Sequence, residues 1–217
     1  MMAIELVHST PLDLVDAAPR ADHAVIARMV TPGAKVLEIG CSDGALLSLL
    51  ARERNAKARG LDRDQRKVNL CVARGLSVVQ ADPERDLQNF PGGAFDFVVL
   101  AHTLQKQANP RLVLKQSARI GERVIVSVAN FAHWRSRLAL LNSGRMLGPM
   151  AQSARWCDSD TSHPSSVRDV AELADDLHLA IERALPISGG QPGAPFAKTR
   201  WRANWFAEEA VFLLVQT

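Results

Sequence analysis

Cysteine is scarce in this sequence and falls into no pattern. Cys41, Cys71 and Cys157 are an odd number at unrelated spacings, which excludes a disulfide framework and a C-x-x-C zinc arrangement. Reduced thiols in a cytoplasmic protein are the expectation. Charge of one sign is not concentrated either. The 26 Lys and Arg and the 23 Asp and Glu are interleaved, and without a long basic run a nucleic-acid partner is not expected. Apolar runs such as FVVLA have strand length and fall far short of a membrane span. The first twenty residues carry acidic side chains and no apolar core of signal-peptide length. Tyrosine is absent, which excludes nothing about the fold. No internal repeat or low-complexity linker divides the 217 residues, so one domain over 1–217 is expected, with 1–20 as an extension.

What is present is an alternation of short apolar runs and amphipathic stretches. DHAVIARMV has helical period and stops at Thr31-Pro32-Gly33. KVLEIG, KARGLD, LSVVQAD, FDFVVLAH and RVIVSVAN read as strands, and ALLSLLARE, RDQRKVNLCVARG and PRLVLKQSARIG as the helices between them. Gly75 is a plausible helix C-cap. HWRSRLALLNSGRM reads as a further helix, then an irregular polar region around Trp156 to Ser166, and VRDVAELADDLHL as an amphipathic helix. AIERALPI is a strand, residues 186–204 a Gly/Pro-rich loop, and EAVFLLVQT the closing strand. This order predicts an α/β, Rossmann-like fold: a seven-stranded, mostly parallel sheet with helices on both faces.

The informative segment is Val36-Leu37-Glu38-Ile39-Gly40-Cys41-Ser42-Asp43-Gly44. A strand ends in an acid, and glycines let the chain turn sharply and let a ligand approach the backbone. In open α/β sheets ligands bind beyond the carboxyl ends of the strands. The second strand ends in Asp62, whose carboxylate can accept both hydroxyls of a ribose at roughly 1.5–3 kcal/mol per charge-assisted bond. After the third strand, Asp82 can accept from an adenine amino group. Taken singly each has a plainer reading: Asp62 as a cap with Asp64 as competitor, Asp82 as a turn starter before Pro83. Three acids in order at three strand tips favour a nucleoside site, with Cys41 a small packing residue inside the turn.

Two ligand classes compete. Gly40-x-Ser42-x-x-Ala45 is a degraded dinucleotide fingerprint, with Asp62 near the expected acid, so an NAD-binding module is one reading. A pyrophosphate, however, needs the helix N-terminus free of negative charge, and Glu38 and Asp43 flank this turn. S-adenosylmethionine has no phosphate and carries a sulfonium and an ammonium. The electrostatics favour it.

LEIGCSDG, GLD, QAD and FDFVVLAHTLQ resemble the successive motifs of class I methyltransferases. More narrowly, the chain resembles the MetW methionine-biosynthesis family over nearly its full length. That likeness rests on FDFVVLAHTLQ, on VSVANFAHWRSRLALLNSGRM, on the Trp156-x-Asp158…His163…Val167-Arg168-Asp169 segment and on NWFAEEAVFLL. Ser42 stands where the middle glycine is usual, and Thr161 where asparagine is expected. The resemblance implies S-adenosylmethionine held by Glu38, Gly40, Cys41, Ser42, Gly44, Asp62, Asp82 and Ala101. It also implies a link to methionine biosynthesis, with homoserine O-acyltransferase as partner. The activity itself is left between a small-molecule methyltransferase and a non-catalytic regulator of that acyltransferase.

On the acceptor side the ends of strands four and five offer His102, Thr103, Gln105, Asn130 and His133, followed by Trp134. His102 is the candidate general base, set against the plainer role of packing over the cofactor or capping a turn. His133-Trp134-Arg135 suits ordering of the next helix or a ligand or partner contact better than acid–base work. His163 has no companion at metal-ligand spacing, so no metal is expected. Trp201, Trp205 and Phe206, among Lys198, Arg200 and Arg202, fit burial at the loop's edge or a protein interface better than a nucleic-acid or membrane patch.

Overall fold

The computed structural model describes residues 20–144, 162–196 and 200–217. The extension before Arg20, Cys157 and the Trp156–Thr161 stretch therefore lie outside the described residues. Strands β1 (Lys35–Ile39), β2 (Lys57–Asp62), β3 (Val78–Gln80), β4 (Phe95–Ala101) and β5 (Gly121–Ala129) alternate with helices α1 (Ala21–Met29), α2 (Ala45–Arg54), α3 (Gln65–Ala73), the single turn α4 (Pro83–Asp86) and α5 (Pro110–Ile120). There follow α6 (Trp134–Ser143), α7 (Val167–Asp176), β6 (Leu179–Ser188), β7 (Gln191–Pro192), α8 (Arg200–Phe206) and β8 (Glu209–Gln216).

The helix starts are written locally. Asp64 accepts from Arg66 N at the head of α3, and Asn109 accepts from Leu112 N, with Pro110 in the first turn of α5. Ser166 and Asp169 form a reciprocal capping box on α7. Each such cap is worth about 1 kcal/mol. Arg74 is the α3 C-cap, and Gly75, expected to end that helix, follows it at φ +74.

The strands form one sheet in the order β3-β2-β1-β4-β5-β8-β6-β7. The pairs among β1 to β5 are parallel, and β8 runs antiparallel between β5 and β6. One face packs against α5 and α7 through Val113, Leu114, Val167, Val170 and Ala174. The other packs against α1 and α2 through Val25, Ile26, Leu46, Leu49 and Leu50. Apolar runs buried on both faces explain why β4 and β5 read as unbroken hydrophobic stretches.

Two expectations need correction. The sheet has eight strands, not seven, because Gly189 and Gly190, at φ +56 and +72, turn the chain so that Gln191 and Pro192 pair back on Ser188 and Ile187. The same hairpin shortens the expected 186–204 loop, whose first residues still belong to β6 and whose last belong to α8. No described helix is long and apolar enough to cross a membrane.

Candidate functional site

Strand order reverses at the β1/β4 pair, the topological switch point at which open α/β sheets bind ligands. There the chain leaves β1 through a tight turn: Gly40 N donates to Leu61 O at 2.6 Å, and Gly44 N to Cys41 O at 2.8 Å. Gly40 has φ +74, and a Cβ on it would lie 2.6 Å from Thr103 Oγ1 at the tip of β4. Gly44 is the left-handed N-cap of α2. A side chain there would collide with Leu76.

Ser42 has φ +51, so a residue with a Cβ stands in a conformation glycine takes freely. That conformation costs an L-residue about 1–2 kcal/mol, against about 0.5–1 kcal/mol for the extra chain entropy of glycine. Ser42→Gly is therefore expected to raise the melting temperature by about 1–4 °C, read by thermal denaturation monitored by circular dichroism.

Asp62 ties this turn to the tip of β2. Its Oδ2 accepts from Ser42 N at 3.0 Å and its Oδ1 from Asp64 N at 2.9 Å. Both bonds leave lone pairs on a buried carboxylate. Glu38 is 3 % exposed, and its Oε2 has no hydrogen-bond partner among the described residues. Burial above all, then the nearby Asp43 and Asp22 carboxylates, pushes its pKa well up. A buried polar atom without a partner costs about 1–3 kcal/mol or more and calls for a donor or cation that the described residues do not supply. Cys41, by contrast, packs among Leu47 and Cys71, and burial raises the pKa of both thiols. They are inert packing groups.

Asp82 is half-buried, and its side chain caps α4 by accepting from Glu84 N at 2.9 Å. The turn-starting role is thus realised, and a carboxylate in this position still has acceptor capacity. Ala101 ends β4, its carbonyl accepting from Thr103 Oγ1 at 3.1 Å. The glycine turn, Glu38, Asp62 and Ala101 thus belong to neighbouring strand tips.

The expected acceptor-side residues divide. Gln105 is buried, its amide donating to Ala129 O and Ser165 Oγ, both at 2.9 Å, and accepting from Ala129 N at 3.0 Å. Asn130 is spent on the end of α8, donating to Ala207 O at 2.8 Å and Asn204 O at 3.0 Å. His133 is the N-cap of α6, its Nδ1 accepting from Arg135 N at 3.3 Å, and burial lowers its pKa. These three brace the scaffold. Trp134 instead faces outward, with the Arg135 guanidinium 5.4 Å from its ring centre. His163, which has no companion at metal-ligand spacing in the sequence, lines an apolar cleft with Leu104, Pro110, Val170 and Leu173.

His102 takes up a different position. At φ +51 its ring is turned so that Nε2 lies 3.2 Å from Glu209 Oε2 and 3.5 Å from Asp22 Oδ2. Asp22 also accepts from Ser127 Oγ at 2.8 Å. Burial pushes the Asp22 pKa up, yet His102, Arg20, His23 and the Ser127 hydroxyl outweigh it and hold the carboxyl below its usual range. Desolvation lowers the pKa of neighbouring His23. Sequence reasoning missed Asp22 and Glu209, which lie inside a helical stretch and a closing strand with no local mark. Both carboxylates thus engage His102 through Nε2.

Seven of the eight strands in the order 3-2-1-4-5-8-6, the antiparallel strand inserted between β5 and β6, and a glycine turn at the switch point define a protein with the class I methyltransferase fold. The likeness extends to solved structures. An S-adenosylmethionine-dependent methyltransferase from Thermotoga maritima superposes with a TM-score of 0.64 at 14% identity, over 90% of this chain and 87% of the other. One from Archaeoglobus fulgidus does so at 0.61 and 14% identity, over 90% and 93%. Residues 20–214 match the family described as methionine biosynthesis protein MetW, and the chain belongs to that family. It is 27% identical, over 177 residues, to the bifunctional methionine biosynthesis protein MetXA/MetW of Rhodopirellula baltica, covering 77% of this chain and 28% of that protein. The chain thus spans little more than a quarter of that relative's length. A ubiquinone biosynthesis O-methyltransferase of Xanthomonas oryzae is 28% identical over 76% of this chain and 69% of its own.

Proposed function

We propose that this chain binds S-adenosylmethionine at the β1/β4 switch point and serves methionine biosynthesis in the cytoplasm, next to a homoserine O-acyltransferase. The observation that carries the reading is the orphaned Glu38 oxygen under a glycine turn. A buried carboxyl oxygen without a partner ionises most readily beside a cation, which favours a sulfonium ligand over a pyrophosphate. In this reading Asp62 accepts from the ribose hydroxyls, Asp82 receives the adenine amino group, and the Gly40, Cys41, Ser42 and Gly44 backbone underlies the amino-acid tail. Bound there, the sulfonium would offer an electrophilic methyl group.

A second reading, that the protein is a non-catalytic partner which senses this nucleoside, is favoured by the engagement of His102 Nε2 by two carboxylates. The joining of MetXA and MetW in one Rhodopirellula protein supports the acyltransferase as partner under either reading. The α6 and α8 surface suits it too. No α6 side chain is buried. On α6 Leu141 is 82% exposed and Leu138 is exposed, and on α8 Trp201, Trp205 and Phe206 are exposed. Arg137 stacks 4.4 Å from the Trp205 ring centre and joins the two helices. Exposed apolar groups gathered in this way mark interaction surfaces.

The test is calorimetric titration with S-adenosylmethionine and S-adenosylhomocysteine, with and without the acyltransferase. Saturable binding of one equivalent is expected, together with co-elution of the two proteins in gel filtration. Leu141→Asp should abolish co-elution and leave nucleoside binding unchanged. No heat of binding for either nucleoside would overturn the cofactor assignment, and an unchanged complex with Leu141→Asp would overturn the docking face.

A further inference from the structure

We propose that Asp22, His102 and Glu209 form a binding site for a first-row divalent cation, set at the strand tips beside the glycine turn. The three donors come from α1, the end of β4 and the start of β8, and their ligand atoms all lie within 4.8 Å of one another. Nε2 of His102 stands 3.2 Å from Glu209 Oε2 and 3.5 Å from Asp22 Oδ2. An ion about 2.1 Å from each donor would see these two separations at angles of about 100° and 113°, close to tetrahedral or five-coordinate geometry. One imidazole with two carboxylates is a borderline-to-hard donor set, suited to Zn(II), Mn(II), Fe(II) or Co(II) and poor for soft cations. Two carboxylates offset a divalent ion and the imidazole binds as the neutral base, with Arg20 beside Asp22 leaving one positive charge in excess.

The surroundings are those of a held ligand set. Ser127 Oγ donates to Asp22 Oδ2 at 2.8 Å, and Ser127, through both its carbonyl and its hydroxyl oxygen, accepts from His102 N at 3.1 Å. One residue therefore orients two donors, as outer-sphere groups do around metals. The left-handed backbone of His102 aims the ring at the carboxylates, a strained setting paid for by packing elsewhere. Arg20 donates to both Asp22 oxygens, at 3.1 and 3.0 Å, from an exposed position. On metal binding it keeps Oδ1 and yields Oδ2. His102 and Glu209 retain slight solvent access, their side chains 14% and 11% exposed, while Asp22 is sealed. The open coordination positions therefore face solvent on that side, where water or an oxygen of an acceptor molecule would complete the shell. His102 follows Ala101 at the end of β4, the sheet neighbour of β1, which sets the metal near the strand tips of the proposed nucleoside groove. The proposal does not rest on that groove being filled.

The competing arrangement is a self-contained network in which a protonated His102 bridges Asp22 and Glu209. Untagged full-length protein, stripped with a chelator, would be titrated with Co(II) and followed by its visible d–d absorption, then with Zn(II) and Mn(II) by calorimetry. One equivalent per chain and a Co(II) band typical of four or five ligands are expected. Glu209→Gln, which preserves shape, should weaken binding at least tenfold, and His102→Ala should remove the Co(II) band. Ser127→Ala should weaken binding about 10–100-fold if it orients the donors. Far-UV circular dichroism of each variant separates lost binding from lost fold. Failure of the parent protein to take up any of the three ions would overturn the proposal, as would unchanged uptake by a folded Glu209→Gln variant. A doubly protonated His102 ring in nitrogen NMR of protein to which Zn(II) has been added would also overturn it, in favour of the ion-pair network.

Discussion

Replacing Glu38 by glutamine is expected to make the unliganded protein more stable at neutral pH and its nucleoside complex weaker. Burial and the neighbouring Asp43 and Asp22 carboxylates hold the Glu38 proton well above the ordinary value of 4.5. Below that value folded and unfolded chains both keep the proton, and the stability contribution is fully present. Above it the unfolded chain ionises while the folded one does not. Stability then falls by up to about 1.4 kcal/mol per pH unit until the raised folded value is passed. The glutamine variant lacks this decline, so its urea midpoint should overtake that of the parent protein as pH rises from 5 to 7.

Ligand binding reverses the preference. A cationic group beside the orphaned oxygen favours the carboxylate, so binding of S-adenosylmethionine should release up to one proton and tighten as pH rises toward the raised pKa. In the glutamine variant the release should vanish, and affinity should fall about 10–150-fold, the loss of one charge-assisted bond of about 1.5–3 kcal/mol. Calorimetry in two buffers of different ionisation enthalpy reads both quantities. Equal proton release from parent and variant would show that Glu38 does not face the cation.

Asp62→Ala should have the larger effect on binding. The carboxylate receives Ser42 N at 3.0 Å and Asp64 N at 2.9 Å, so its loss frees two backbone donors and loosens the turn, at about 1–3 kcal/mol of stability. Where it also receives ribose hydroxyls, affinity for S-adenosylhomocysteine should fall at least about 100-fold, two charge-assisted bonds at about 1.5–3 kcal/mol each. Comparison with the 2′-deoxy analogue separates the two roles. Parent protein should prefer the ribonucleoside strongly, and the variant should hold the two alike. A variant that keeps the parent's preference would place ribose recognition elsewhere.

These two acids show how differently a site can be legible. Glu38 and Asp62 could be assigned to strand tips because each closes a short apolar run before a glycine or a turn, and a parallel strand's carboxyl end has only one place to go. What the acids do there was not legible. The lack of a partner for Glu38 Oε2 among the described residues depends on neighbours distant in sequence, and Asp62 binds its own turn through both carboxylate oxygens. Gln105, Asn130 and His133 look alike in sequence to residues that line a cleft. Packing against α7, α8 and α6 converted them into braces, because a buried amide or imidazole settles on whatever backbone groups lie unpaired beside it.

The succession of strands and helices, their caps and the glycine turn were legible from residue order, since apolar period, breakers and capping side chains all act within a few residues. Only the packed layers decided that β8 enters between β5 and β6, that Arg137 of α6 meets Trp205 of α8, and that His102 meets Glu209 across 107 positions. Such meetings depend on how whole layers pack, and a contact between distant residues leaves no periodicity in either stretch of chain.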